Sequence, residues 1–546
     1  MTELPSKWWH NAAVYQVYPR SFFDGNGDAL GDLIGVQSKL PYLKNLGINA
    51  IWLSPFYPSP QNDSGYDVAD QRDVDPMYGS LHDAMALIES AHMLDIKIVV
   101  DLVPNHVSSE HPWFKAALRS EPGSPERARF HFVDGGDSPP NNWVSMFGGP
   151  AWKRIVEVDG SPGQWYLHVF DSSQPDLNWT NSQVAADWIT TLKFWLDRGV
   201  DGFRVDVAHG LAKDMTYVDL PDPIGLTEAL RFDLDDGSSE AAARRLLVEN
   251  SGFFDRDELQ DIYRTWREVL DSYPGDRMAV GEAWVPAHRS GRYVSPTSLH
   301  QIFGFDFLVV AWNATLMRDT IARAVAAVAA VGAPPTWALS NHDSPRVVSR
   351  LGGGAKGLAR ARALALVAHA LPGSIYVYQG EELGLPDASL ADSDRQDPVF
   401  FRTGGAQKGR DGARVPLPWR GSQSPYGFTD SSNQTWLPQP RDWSELTVEW
   451  EQRQPTSTLS LYEKSLKLRA HFTGAVSFVE SSNPDVMIFH RDNGIYIAVN
   501  TGSGEYLLPE FLLEAEVLLD SETVNASGDK TSVLSPDCAR WFRIIT

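Results

Sequence analysis

GFRVDVAH, residues 202–209, decides the fold of this chain. Gly202 to Val205 reads as a short β-strand that breaks at its C-terminal end into an aspartate, Asp206, and a histidine, His209. Three other segments repeat the design: DLVPNH at 101–106, GEAW at 281–284 and SNHD at 340–343. Strands that finish in polar, ionisable residues are how a (β/α)₈ barrel assembles a site from its C-terminal face. Working outward, strand-like runs are expected at Ala13–Tyr18, Ala50–Leu53, Ile96–Leu102, Gly202–Val205, Met278–Gly281, weakly at Leu299–Phe303, and at Trp337–Ser340 and Ile375–Gln379. Helical spacing recurs between them, as in Leu81, Ala84, Met85, Ile88, Ala91 and in Val184, Trp188, Leu192, Trp195. Strands alternating with helices predict an α/β fold with a parallel barrel.

The barrel pattern is interrupted. A Pro, Gly and Asp-rich stretch after the third strand is too long for an ordinary connection and predicts an inserted subdomain. Beyond about Thr473 the apolar period becomes two, with Val486–His490 and Ile495–Asn500 flanking a turn at Asp492 to Gly494, which predicts an antiparallel β-domain. The expected organisation is a first barrel segment at 1–104, the insertion at 105–176, a second barrel segment at 177–472 and a C-terminal β-sandwich at 473–546. A second Gly/Pro-rich stretch, Leu385 to Pro440, is expected to wall the pocket.

Composition narrows the function. With 47 basic and 70 acidic residues the net charge is −23, which disfavours nucleic acid and anionic membrane and favours a small neutral partner. Cys538 is the single cysteine, so no intramolecular disulfide forms, and no function is assigned to it. No run approaches the roughly 18 apolar residues of a membrane helix. The N-terminus lacks a secretory pattern. A cytoplasmic protein, monomeric or weakly self-associating, is expected. Most of the 19 tryptophans are expected in the core.

The strand ends bring three carboxylates, Asp206, Glu282 and Asp343. Cleaving a sugar acetal needs a proton donor and a carboxylate that attacks C1 or activates water. Arg204 shares a strand face with Asp206 and is expected to hold it ionised, which suits a nucleophile. Glu282, after a run of small apolar residues and near Trp284, suits a general acid. Asp343 can stabilise positive charge in the transition state. His106 and His342 are expected to donate hydrogen bonds to hydroxyls. Separately, Asp24, Asn26, Asp28, the Leu30 carbonyl and Asp32 alternate oxygen donors in a tight loop, as a hard cation requires, so structural Ca²⁺ or Mg²⁺ is expected. Ala29 and Gly35 replace the turn glycine and bidentate glutamate of an EF-hand, so the loop is not one.

These segments, with QPDLNW at 174–179 and GYDVAD at 65–70, resemble the α-amylase family of retaining glycoside hydrolases. The resemblance implies Asp206 as nucleophile, Glu282 as acid/base and Asp343 as transition-state stabiliser, with the two reacting carboxyls about 5–5.5 Å apart. It is nearest to the α-glucosidase and oligo-1,6-glucosidase branch. There an aspartate before the GYD segment, here Asp63, pairs with an arginine, here Arg410 with Arg414 as its rival, and closes the far side of the glucose pocket. A closed pocket implies exo action on short α-1,6 or α-1,4 glucosides. Tyr66 is expected to stack on the sugar, and Phe147 and Phe170 to line the entrance. In the same branch the Asp24–Asp32 loop holds a divalent ion. Val207 resembles the α-1,6-preferring members, although one methyl-for-hydroxyl change discriminates weakly. Transglucosylation or glucoside isomerisation on the same intermediate is an open alternative. An inactive amylase-like binding subunit and a trehalose-phosphate hydrolase fit less well.

Overall fold

A computed structural model describes residues 7–223, 251–522 and 532–544. Parts of three of the four expected segments, notably 224–250, lie outside the described residues, whereas 105–176 is described throughout. In chain order the strands are β1 Ala13–Val17, β2 Ala50–Leu53, β3 Lys97–Leu102, β4 Phe132–Val133, β5 Trp152–Val156, β6 Pro162–Leu167, β7 Gly202–Val205, β8 Met278–Gly281, β9 Gln301–Ile302, β10 Thr336–Ala338 and β11 Ser374–Tyr378. Eight of them form one parallel sheet in the order β10-β11-β1-β2-β3-β7-β8-β9. Nearly every residue of these strands is buried, because the sheet closes around its own side chains and is covered outside by helices. At the seam between β9 and β10 the Thr336 hydroxyl donates to the Ile302 carbonyl at 2.6 Å and accepts from Gly304 N–H at 3.0 Å. The fold is a (β/α)₈ barrel.

The helices form where period and caps coincide. Leu81–Met93 starts with a capping box, Ser80 and Asp83 each satisfying the other's backbone N–H. Its buried stripe is Ala84, Leu87, Ile88 and Ala91, whereas Met85 is 49% exposed, so Leu87 takes the place expected for Met85. Ser182–Leu196, capped by Asn181, buries Val184, Trp188, Leu192 and Trp195 as its spacing predicts. Gly199 then turns the chain toward β7 with φ +94°.

Between β3 and β7 the chain makes a small antiparallel sheet, β4-β6-β5, on the side where β3 and β7 end. Its base is stitched to the barrel by Leu177 N–H donating to Asn105 O at 2.9 Å. After the barrel come β12 Ser477–Val479, β13 Val486–Arg491, β14 Ile495–Asn500, β15 Tyr506–Leu507, β16 Glu516–Asp520, β17 Val533–Leu534 and β18 Cys538–Arg543. Five of these form an antiparallel sheet, β12-β13-β14-β18-β16. This sheet packs on the helix Gly354–Ala370, where Trp541 Nε1 donates to Leu366 O at 2.9 Å. Cys538 is buried in it, and among the described residues no helix is long and apolar enough to cross a membrane.

Candidate active site

The ladder of the barrel sets the height of Asp206 and Glu282. Asp206 N–H donates to Leu102 O at 2.8 Å and Glu282 N–H to Val205 O at 2.9 Å, so each residue is the first past its strand and still held by the neighbouring strand. Both carboxyls therefore stand on one rim. Beneath them, Asp101 on β3 is directly opposite Arg204 on β7. Arg204 Nη1 donates to Asp101 Oδ1 at 2.9 Å and to Asp206 Oδ1 at 2.5 Å, while Nη2 lies 2.7 Å from Glu282 Oε2. Asp101 is fixed in turn by Trp52 Nε1 and Tyr66 OH, each donating at 3.0 Å.

Through this fork one guanidinium group reaches both carboxyls at once. Burial, followed by the Glu282 and Asp101 charges, pushes the Asp206 carboxyl well above the usual range despite Arg204. Arg204, hydrogen-bonded to Asp206, opposes that push. Asp101 is itself pushed up to about 6 by burial, with Arg204 opposing.

The residue after Asp206 is strained. Val207 has φ +45°, a left-handed conformation unusual for a β-branched side chain. Its N–H donates to Glu282 Oε2 at 3.1 Å, and its carbonyl accepts from Gly210 N–H at 2.8 Å. The turn holds the strain and aims an amide at Glu282.

Asp343, five residues past the end of β10, sits under two guanidinium groups: Arg410 Nη1 and Arg414 Nη2 each donate to its Oδ1 at 2.8 Å. Burial opposes ionisation, but His342, Arg410 and Arg414 hold this carboxylate well below the usual range. Burial itself keeps His342 neutral, so the two arginines are the lasting source. Arg410 Nη2 also donates to Asp63 Oδ1 at 2.7 Å, and its Nε to Asp397 Oδ2 at 2.6 Å. Asp63 is pushed up to about 6 by burial against the arginines, whereas Asp397, also buried, is held down to about 2 by Arg410 and Arg414. Between Asp63 and its rivals, Arg410 is the partner; Arg414 lies below, donating to the His342 carbonyl at 2.8 Å.

Asp63, Asp206, Glu282, Asp343 and Arg410 line a cavity of about 630 Å³ together with Tyr66, His106, Phe147 and Phe170. Tyr66 stacks on His342 at 4.9 Å, and Phe147 meets Phe170 edge-on at 5.7 Å with Arg410 over its ring. His106 Nε2 contacts the Tyr66 carbonyl at 3.2 Å and the Gln174 amide at 3.1 Å, and burial lowers it to about 4, so it is neutral. Two expected sugar contacts lie elsewhere. Arg204 and His342 are fully buried below the cavity wall and touch the carboxylates, not its surface. His342 Nδ1 accepts from Gln16 Nε2 at 2.7 Å, and its Nε2 is 3.1 Å from Asp343 Oδ2 without hydrogen-bond alignment. Trp284 is the only tryptophan in the wall, and Leu385 to Pro440 supplies Arg395, Val399, Gln407 and Lys408 to it.

Sequence reading missed Asp101, Asp397 and Gln174. Asp101 is signalled by alternation, since Val99 and Asp101 share a face of β3. Gln174, whose amide donates to Asp63 Oδ2 at 3.1 Å, lies inside a quoted segment. Asp397 lies in an irregular stretch with no period to mark it.

At the Asp24–Asp32 loop the oxygens are already engaged. Asp24 accepts from the N–H groups of Asn26, Gly27 and Ala29, and from the Thr429 hydroxyl at 2.5 Å. Asp32 caps the helix Leu33–Ser38 through Gly35 N–H and also accepts from Gly25 and Asn26. The donor set, all oxygen, suits a hard cation. Among the described residues, however, the one set of three Asp, Glu, His or Cys side chains with ligand atoms within 4.8 Å of one another is Asp520, Glu522 and Cys538, not this loop.

Comparison with known proteins agrees with the geometry. The α-amylase catalytic-domain profile matches residues 16–475. The oligo-1,6-glucosidase of Heyndrickxia coagulans is 36% identical over 89% of this chain and 90% of that protein. The trehalose-6-phosphate hydrolase of Bacillus subtilis is 32% identical over 94% of each. Among solved structures, an alpha-glucosyl transfer enzyme, XgtA, superposes with a TM-score of 0.85 at 34% identity, covering 98% of this chain and 99% of that one. The trehalulose synthase MutB superposes with a TM-score of 0.84 at 30% identity, covering 99% of this chain and all of that one. With three carboxylates gathered on one barrel rim and relatives of this kind along nearly its whole length, the chain belongs to the α-amylase family and is a glycoside hydrolase.

Proposed function

We propose that the protein is a retaining, exo-acting α-glucosidase that releases terminal non-reducing α-glucose from short α-1,6 or α-1,4 glucosides. The observation that carries this reading is the Arg410 bridge, which joins Asp63 to Asp343 across the inner end of the cavity. Charged side chains paired in this way bind the far hydroxyls of one terminal sugar and block a longer chain. The polymer-cleaving alternative within the family needs that end open.

In the first half-reaction Asp206 attacks the anomeric carbon while Glu282 gives its proton to the departing glycosidic oxygen. This division requires one carboxyl ionised and the other protonated. The Val207 amide and Arg204 then stabilise the Glu282 carboxylate that forms. In the second half-reaction Glu282 takes a proton from water, which attacks the glucosyl ester and frees Asp206, so configuration is retained overall. Asp343, held ionised by two arginines, stabilises the oxocarbenium-like charge. Tyr66 and His106 form the sugar-facing wall. A hard cation at the Asp24, Asn26, Asp28, Leu30 and Asp32 loop would brace that turn and take no part in the chemistry.

A second reading, glucosyl transfer or isomerisation, is favoured by the apolar outer wall, where Met146, Val207 and Phe254 offer water little to bind. The glucosyl ester then passes to a sugar or alcohol hydroxyl in place of water. The test is incubation of wild type and Asp206→Asn with isomaltose, maltose, trehalose and sucrose, following products by NMR. Initial α-glucose from wild type alone supports the proposal. New disaccharides in place of glucose support the second reading. Equal turnover by both proteins removes Asp206 as nucleophile.

A further inference from the structure

Behind the inner wall of the cavity lies a carboxylate to which the chemistry above assigns no part. Asp397 is fully buried and is not among the groups that line the cavity. Arg410 nevertheless gives it three hydrogen bonds: the backbone N–H at 2.7 Å and Nε at 2.6 Å, both to Oδ2, and Nη2 at 3.3 Å to Oδ1. Asp63 and Asp343 receive one each from the same side chain, through Nη2 at 2.7 Å and Nη1 at 2.8 Å.

The Asp397 carboxylate is itself held in place. Its backbone N–H donates to Asp411 Oδ2 at 3.0 Å, and Gln396 N–H donates to the same oxygen at 2.9 Å. Its Oδ1 accepts from Val399 N–H at 2.9 Å and caps the short helix Pro398–Arg402. Gly409, with φ +69°, passes so close that a Cβ there would stand 2.6 Å from Asp397 Cβ, so glycine is required just before Arg410. A guanidinium group pairs best with a carboxylate through two parallel N–H···O bonds to one acid. Left free between two acids, it would turn both Nη groups to one and leave the other unpaired. With its Nε edge and backbone N–H held, the planar fork points one Nη group at each acid.

We propose that Asp397 is a positioning residue of the terminal-sugar site, clamping Arg410 from behind the cavity wall so that Nη1 meets Asp343 and Nη2 meets Asp63. The assignment rests on the α-glucosidase reading, in which Arg410 and Asp63 bind the far hydroxyls of the terminal glucose. Asp397 acts through Arg410 and touches no substrate. Its charge also reaches Asp63: burial raises that carboxyl to about 6, Arg410 and Arg414 oppose the rise, and Asp397 adds to it.

The test measures kcat and KM for isomaltose in Asp397→Asn and Asp397→Ser, both of which keep an oxygen for the helix cap. Each is made in the wild-type and in the Arg410→Ala background, with folding followed by the urea midpoint. In the wild-type background KM rises and kcat/KM falls by on the order of tenfold to 10²-fold, the cost of a misplaced positioning group. The fall in kcat is smaller, because Arg414 still holds Asp343. In Asp397→Asn the acid limb of kcat/KM also moves to lower pH, since Asp63 loses a negative neighbour. In the Arg410→Ala background neither substitution lowers kcat/KM further, because nothing is left to position. A KM unchanged in both variants, or the same loss with and without Arg410, overturns the assignment and leaves the α-glucosidase reading intact. A wild type that releases no glucose from isomaltose or maltose overturns that reading and the assignment with it.

Discussion

At the inner end of the pocket charges answer one another: Arg410 touches Asp63, Asp343 and Asp397, and Arg414 touches Asp343 from below. At the outer end Val207, Phe254 and Met146 present hydrocarbon, and the His209 ring stacks on Phe254. The inner end is therefore built before any substrate arrives, its donors and acceptors already fixed. Such preorganisation supplies transition-state stabilisation, because the dipoles need not turn during reaction. The outer end has little polar structure of its own, and what it prefers depends on what enters.

The comparison breaks most visibly at the carboxylates between the two ends. Glu282→Gln is expected to lower kcat/KM for isomaltose by roughly 10²–10⁴-fold, the range for a lost general acid. The loss is smaller for p-nitrophenyl α-glucoside, whose leaving group needs no proton. Equal losses on both substrates would show that Glu282 is not the proton donor. Next in size is Arg410→Ala, which strands three buried acids. Breaking such a buried pair costs about 3–5 kcal/mol, read as a lower urea midpoint. Activity falls by about 10²–10³-fold as a charge-stabilising donor is lost. A small effect would mean that Arg414 alone organises the inner end.

The pH profile sharpens the same contrast. Asp63, raised to about 6, is ionised above that pH and grips Arg410; as pH falls through about 6 it protonates, the bridge weakens and KM rises. Asp101 titrates near the same value, so Asp63→Asn makes the acid limb of kcat/KM shallower without removing it. Stability moves the other way. A carboxyl raised above its unfolded value of about 3.9 binds its proton first in the folded state, so this group's contribution to stability grows as pH falls between about 6 and 3.9. An acid limb identical in Asp63→Asn would assign it to other groups.

Smaller effects are expected farther out. Val207→Thr should shift the maltose to isomaltose ratio by about tenfold or less, since one hydroxyl on an apolar wall discriminates weakly. Calcium or magnesium should raise the thermal midpoint by a few degrees through binding to the folded state alone, and Asp28→Ala should abolish that rise. No shift in either metal would leave the Asp24–Asp32 loop a turn held by its own amides.

The strands were legible within a residue or two wherever they are buried on both faces, because such runs are continuously apolar and end abruptly at polar residues. β9 was the weakest in the sequence and is the shortest strand of the barrel, Gln301–Ile302, with its far edge closed by a threonine side chain rather than a ladder. Met85 and Leu87 exchanged roles because a helix stripe one residue wider than its core contact admits both. The chemical residues at strand ends were visible because the ladder carries them to the rim in a fixed order. Asp397 was not, since it reaches Arg410 from an irregular segment whose path no periodicity encodes.

By itself the sequence determined the barrel and the placing of three acids, Asp206, Glu282 and Asp343, beyond the ends of its strands, since these follow from local apolar patterning and from what each strand must end in. Only the tertiary structure decided which charges pair: that Arg204 forks between Asp206 and Glu282 over Asp101, and that Arg410 and not Arg414 meets Asp63. The physical reason is that pairing and burial depend on distances between residues as much as 347 positions apart, and the same buried position that raises one carboxyl to about 6 holds its neighbour down to about 2 according to which guanidinium group it faces.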